Sequence, residues 1–210
     1  MPARLPPGAD LLEWFDNIDI YLFDQILKGR VRPGTRLLDA GCGHGRNLVY
    51  FLRTGYDVYA VDQSSQAIDE VRGLASRLAP HLTADRFRVE PVEGLSFPDA
   101  TFDVVISSAV LHFALDEAHF ETMVSEMWRV LRPGGMLFAR LASSIGIESL
   151  IQPLSGRRAS LPDGTDRFLV DEAMLRRMAD QLGGQFLEPI KTVNVEHQRC
   201  MTTWCLSKVC

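Results

Sequence analysis

The chain has 210 residues, a formal charge of −5 at pH 7 and an apolar content of 46%, which is enough for one well-buried domain and too little for two of ordinary size. The acidic balance argues against a broad nucleic-acid surface, which needs clustered Lys and Arg. No apolar run approaches the roughly 20 residues that a membrane-spanning helix requires. Residues 1–10 carry no apolar signal core, so a cytoplasmic protein with small-molecule chemistry is expected, without nucleic-acid or membrane partners. The four cysteines, Cys42, Cys200, Cys205 and Cys210, form no C-x-x-C pair. They read as reduced apolar residues, and no metal site is expected.

Pro6-Pro7-Gly8 reads as a loop. Asp10 is placed to cap a helix over 10–28, and Leu11, Phe15, Ile18, Leu22 and Ile26 recur on one face. This helical cap, 1–32, is expected to cover a sheet edge or the ligand, with Tyr21 as its contact. Residues 36–40 form the first strand, 45–54 a helix, 57–61 a second strand ending at Asp62, and 64–79 a helix stopped by Pro80. A weaker third strand covers 86–90. The apolar run 102–107 is a central fourth strand. Asp116 caps a helix to 131, and Pro133-Gly134-Gly135 turns the chain into a fifth strand, 136–141. Residues 143–167 lack periodicity, contain the pair Arg157-Arg158, and read as a mobile active-site loop. A helix over 170–182 follows. The strands 185–195 and 201–209 are too close for a crossover, so they pair antiparallel.

Strands alternating with helices make a single α/β domain, 1–210, with a doubly wound, mostly parallel sheet. Ligands of such sheets bind beyond the carboxyl ends of the strands. There lies the run Leu37-Leu38-Asp39-Ala40-Gly41-Cys42-Gly43-His44-Gly45-Arg46-Asn47. A dinucleotide fingerprint, G-x-G-x-x-G, would place its third glycine where Arg46 stands. The spacing here is G-x-G-x-G, with a carboxylate, Asp39, two residues upstream. Asp62 follows the second strand, where a carboxylate accepts from both hydroxyls of a ribose.

This run resembles motif I of the class I S-adenosylmethionine-dependent methyltransferases. The similarity extends from residue 36 to about 141 through Val61-Asp62, Phe97-Pro98-Asp99-Ala100-Thr101-Phe102-Asp103, Leu111-His112 and Leu131-Arg132-Pro133-Gly134-Gly135. Gly45-Arg46-Asn47 is similar to the tellurite-resistance branch. The resemblance implies a seven-stranded sheet of order 3-2-1-4-5-7-6 with strand seven antiparallel, and S-adenosylmethionine as cofactor. It implies that Gly41, Cys42 and Gly43 bring backbone to the methionine part, with Asp39 near its amino group. Asp62 would hold the ribose, Gln63, Val92 and Glu93 the adenine, and Ser107 would lie beside the methyl. Pro91 stands where an acid usually reads the adenine amino group. His112 is the candidate base, and Arg140 the candidate anion-holding residue. His119 is expected to be structural. The implied activity is methyl transfer to a small molecule. A nicotinamide-dependent oxidoreductase and a non-catalytic binder of the cofactor are the alternatives.

Overall fold

The computed structural model describes residues 10–209. The Pro6-Pro7-Gly8 loop, the reading of the first nine residues as free of a signal core, and Cys210 lie outside the described residues.

The expected helix over 10–28 is two helices, α1 (Leu11–Phe15) and α2 (Ile20–Leu27). Between them Asp16 takes a φ of 49°. The run Asp16-Asn17-Ile18-Asp19 is rich in side chains that compete for backbone hydrogen bonds. Asp10 caps the first helix through Leu12 N, and Asp19 caps the second through Tyr21 N.

The chain then runs through β1 (Arg36–Ala40), α3 (Val49–Arg53), β2 (Asp57–Asp62), α4 (Ser65–Leu78), β3 (Phe87–Val89), β4 (Phe102–Ser108), α5 (Glu117–Val130) and β5 (Leu131–Ser143). The expected caps Ser64 and Asp116 accept from Ala67 N and His119 N. Three short strands follow, β6 (Gln152–Ser155), β7 (Arg158–Ser160) and β8 (Asp166–Phe168). Then come α6 (Glu172–Leu182), β9 (Gly184–Phe186), β10 (Lys191–Val195) and β11 (Arg199–Lys208). The expected strand over 185–195 is broken around Pro189, which has no N–H for the ladder.

The main sheet has the order β10-β11-β5-β4-β1-β2-β3, and β9 joins β11. The pairs β1–β2, β1–β4, β2–β3 and β4–β5 are parallel, whereas β11 is antiparallel to both β5 and β10. This is the expected order with its reversed strand. Alternation along β4 feeds two cores. Val105 joins Leu137, Ala139 and Trp204 on the α5 and α6 side. Val104 and Ile106 join Phe51, Phe138 and Cys205 on the other.

The segment 143–167 contains three short strands where the sequence suggests a structureless loop. Strands β6, β7 and β8 form their own antiparallel sheet. Each is three or four residues long, too short to show a period, and Gly156 and Gly164 turn between them with φ of 55° and 80°. The sheet is pinned to the domain by Phe168. That ring is fully buried and stacks on Phe120 of α5, with centroids 5.2 Å apart. Arg157 reaches Glu117 and Asp171, and Arg158 donates to the Ala114 carbonyl. Phe168→Ala is expected to destabilise the protein by about 3–5 kcal/mol, the cost of a large cavity in a core. Urea denaturation measures it, and a loss below about 1 kcal/mol would mean that the small sheet is not docked as described.

Candidate functional site

The glycine turn after β1 is held from β2. Gly41 N and Cys42 N both donate to the Val61 carbonyl, at 2.9 and 3.0 Å. Gly43 N donates to Asp62 Oδ2 at 2.9 Å, and Asp62 Oδ1 accepts from Ser64 N. All three glycines have positive φ, which disfavours a side chain at each. Their surroundings differ. A Cβ at Gly41 would strike Val110 at 2.5 Å, and one at Gly45 would press on Val71 and Leu74. At Gly43 it would meet nothing within 4 Å. Packing therefore leaves no room for a side chain at Gly41 and little at Gly45, while Gly43 faces open space.

That space is a cavity of about 740 Å³ beyond the carboxyl ends of β1, β2 and β4, within the size range of small-molecule sites. Of the expected cofactor residues, Gly41, Cys42, Gly43, Asp62, Gln63, Val92 and Glu93 line it, and Pro91 does too. Tyr21, Asp39 and Ser107 do not. Ser107 is buried inside the sheet with its hydroxyl unpartnered, and the next residue, Ser108, lines the cavity instead.

Asp39 lies buried at the end of β1, 1% exposed, and neither carboxylate oxygen has a hydrogen-bond partner. Burial pushes its pKa up to about 7, against the pull of the Arg46 charge and with some help from Asp62. A buried carboxylate without a partner is costly. The open face of Gly43 and the Asp62 carboxylate fit a nucleoside ligand, and the buried Asp39 adds negative charge behind the turn.

A second acid, Asp19, closes one side of the site. Its carboxylate is fully buried and accepts from Ser108 Oγ at 3.0 Å, Arg140 Nη1 at 3.2 Å and Tyr21 N at 2.9 Å. Arg46 lies 3.8 Å away and donates to Ser108 Oγ. Asp19 N donates to Asn47 Oδ1. Arg140 is thus spent on Asp19 and stacks over the Tyr21 ring at 5.2 Å. Its expected role as an anion-holding catalytic residue gives way to an ion pair.

His112 is also redirected. It is buried, off the cavity lining, and its Nδ1 accepts from Ala142 N at 3.3 Å. The neutral ring then carries its proton on Nε2 and has no lone pair left for a base. Burial, with the nearby charges of Arg167 and Arg199, lowers its pKa to about 4. The general-base assignment fails on this geometry. His119, expected to be structural, does line the cavity. Its Nδ1 accepts from Leu115 N, and its Nε2 lies 3.4 Å from Glu93 Oε1. The available signal was its place in the first turn of α5, at the level of the strand ends. Phe113, Leu115 and Met123 are further lining residues that sequence reasoning did not single out.

Residues 38–139 match the family described as methyltransferase domain. A ubiquinone biosynthesis O-methyltransferase of Methylocella silvestris is 34% identical over 156 residues, covering 71% of this chain and 58% of that protein. The chain spans about half the length of the curated relatives it matches. Among solved structures, Burkholderia thailandensis 1,6-didemethyltoxoflavin-N1-methyltransferase aligns with a TM-score of 0.68 at 21% identity, covering 100% of this chain and 94% of that one. The [4+2]-cyclase SpnF aligns at 0.72 and 18% identity, covering 90% and 81%. Likeness at these identities shows the fold, and the cyclase shows that the fold is also used by a protein named for another reaction. Motif, sheet order and family match agree: residues 38–139 carry a methyltransferase domain like that of the class I S-adenosylmethionine-dependent methyltransferases.

Proposed function

We propose that the protein transfers a methyl group from S-adenosylmethionine to a small-molecule acceptor. The observation that carries this reading is the strand-end cavity lined by the glycine turn and Asp62, with the unpartnered buried carboxylate of Asp39 two residues before Gly41. The strand order lays out the remaining contacts. Asp39 is the penultimate residue of β1, Asp62 ends β2 and Glu93 follows β3, an order that supports assigning amino group, ribose and base to neighbouring strand ends. Glu93 and His119 stand at the base edge, where Pro91 offers neither carboxylate nor N–H. Bound there, the cofactor supplies a sulfonium methyl that is already electrophilic, and the chain's task is alignment and exclusion of water. With His112 and Arg140 otherwise engaged, an acceptor with a free lone pair needs no base from these residues.

Calorimetric titration with S-adenosylhomocysteine and with NAD, followed by a turnover assay with labelled methyl donor, tests the reading. Binding of the first ligand and methyl transfer are expected. NAD binding alone would point to the oxidoreductase alternative, and binding without turnover on a broad acceptor panel to a non-catalytic binder.

Gly43→Val should abolish S-adenosylhomocysteine binding while leaving far-ultraviolet circular dichroism native-like, because a β-branched side chain would fill the ligand's space and resist a φ of 51°. Normal affinity in the variant would show that the turn does not face the ligand. Asp62→Ala should weaken binding by roughly 1.5–3 kcal/mol, the range for hydrogen bonds to a charged group, and unchanged calorimetric affinity would remove Asp62 from the site.

Asp39 adds a pH dependence. Its pKa is raised in the folded protein, so in the absence of ligand it contributes stability at low pH that is lost as pH rises toward 7. An ammonium partner favours the ionised form and pulls the pKa back down. Affinity for S-adenosylhomocysteine should therefore rise between pH 5.5 and 7, with proton release on binding. An α-amino group keeps its proton across that window. Calorimetry in two buffers of different ionisation enthalpy reads the release directly. Asp39→Asn should flatten the profile, and a flat wild-type profile would separate Asp39 from the amino group.

A further inference from the structure

The outer lip of the cavity carries two large apolar side chains, Phe113 at 56% exposure and Leu115 at 68%. Contiguous exposed apolar surface beside a cavity marks a binding surface. Arg167 of β8 stands over Phe113, its guanidinium carbon 4.9 Å from the ring centroid. Its direction is fixed by the small sheet. Phe168 turns inward onto Phe120, so Arg167 points to the opposite face.

Arg167 differs from the two arginines that precede it. Arg157 is paired with Glu117 and Asp171, and Arg158 is bound to a carbonyl. Among the described residues, Arg167 has no carboxylate within ion-pair distance, and its one hydrogen bond goes to the Asp166 carbonyl at 2.8 Å. A guanidinium offers five donors in a planar fork, so a face suited to a bidentate carboxylate remains open.

We propose that Arg167 and Phe113 form the acceptor subsite, and that it selects a flat apolar molecule carrying a carboxylate. The apolar body would rest on Phe113 and Leu115 while the carboxylate meets Arg167. This rests on the methyltransferase reading, because it assigns the second substrate of the same cavity. With Arg157 and Arg158 held by their own partners, Arg167 on the edge strand β8 is left without a carboxylate among the described residues.

The test uses 2-naphthoate and its uncharged analogue 2-naphthamide as probes, titrated by calorimetry into the full chain with and without saturating S-adenosylhomocysteine. The wild type is expected to bind the naphthoate at least about tenfold more tightly than the amide, the scale of one charge-assisted contact. Arg167→Gln should erase that preference and keep S-adenosylhomocysteine affinity within about twofold. Phe113→Ala should weaken both probes. Equal binding of the two probes by the wild type, binding of neither, or a preference that survives in Arg167→Gln overturns the subsite. Failure of S-adenosylhomocysteine to bind the wild type overturns the methyltransferase reading instead, and the probe comparison without it still judges Arg167.

Discussion

Three consecutive N–H groups, those of Gly41, Cys42 and Gly43, are taken up by the end of one strand, two by the Val61 carbonyl and one by the Asp62 carboxylate. The site depends on this strap. It bends the chain sharply after β1, lifts Gly43 toward the cavity, and leaves Asp62 with lone pairs for a ligand while anchoring it at both oxygens. The left-handed backbone that such a bend demands explains the alternate glycines, and the neighbours explain why two of them serve packing. Val110 occupies the place of a Gly41 side chain, and Val71 and Leu74 crowd Gly45.

A second constraint acts through strand parity. Asp39, Ser108 and Arg140 sit on β1, β4 and β5 at positions whose side chains share the face of Val104, Ile106 and Phe138. Helix α2 covers that face through Leu22, and Asp19 at its start meets Ser108 and Arg140 there. One buried carboxylate thus ties the N-terminal helices to two strand ends, and Asn47 ties them to the glycine turn. A buried ion pair is weak evidence of stability, yet removing Arg140 would leave the fully buried Asp19 carboxylate without its nearest cation.

Most of the fold was legible in the sequence because its signals are local and repeated. Apolar runs ending at Asp62, the caps Ser64 and Asp116, and the short link before the last strand each specify one element. What failed was either too short or too distant. The strands β6, β7 and β8 have no room for a period. The break after Phe15 depends on Asp16 and Asn17 competing with the helix, within a stripe that otherwise continues. In the site, the glycine turn, Asp62, Gln63, Val92 and Glu93 line the cavity, whereas Asp39 lies buried off it. Ser107 and Ser108 differ only in which face a strand presents, and the motif does not say which. Arg140 and His112 were read from their distance to strand ends, whereas their partners, Asp19 and the Ala142 N–H, lie 121 and 30 residues away.

The same partners explain how charge is distributed around the cavity. Asp19 is neutralised from within the chain, by Arg140 at 3.2 Å and Arg46 beyond it. Asp62 is steadied by two backbone donors. Asp39 alone has neither, although it is among the most deeply buried acids of the described residues. Two acids so well satisfied beside one that is not cannot be put down to crowding, because Arg46 lies near both Asp19 and Asp39 yet binds Ser108. Of these three acids, Asp39 is the one with both oxygens buried and without a hydrogen-bond partner.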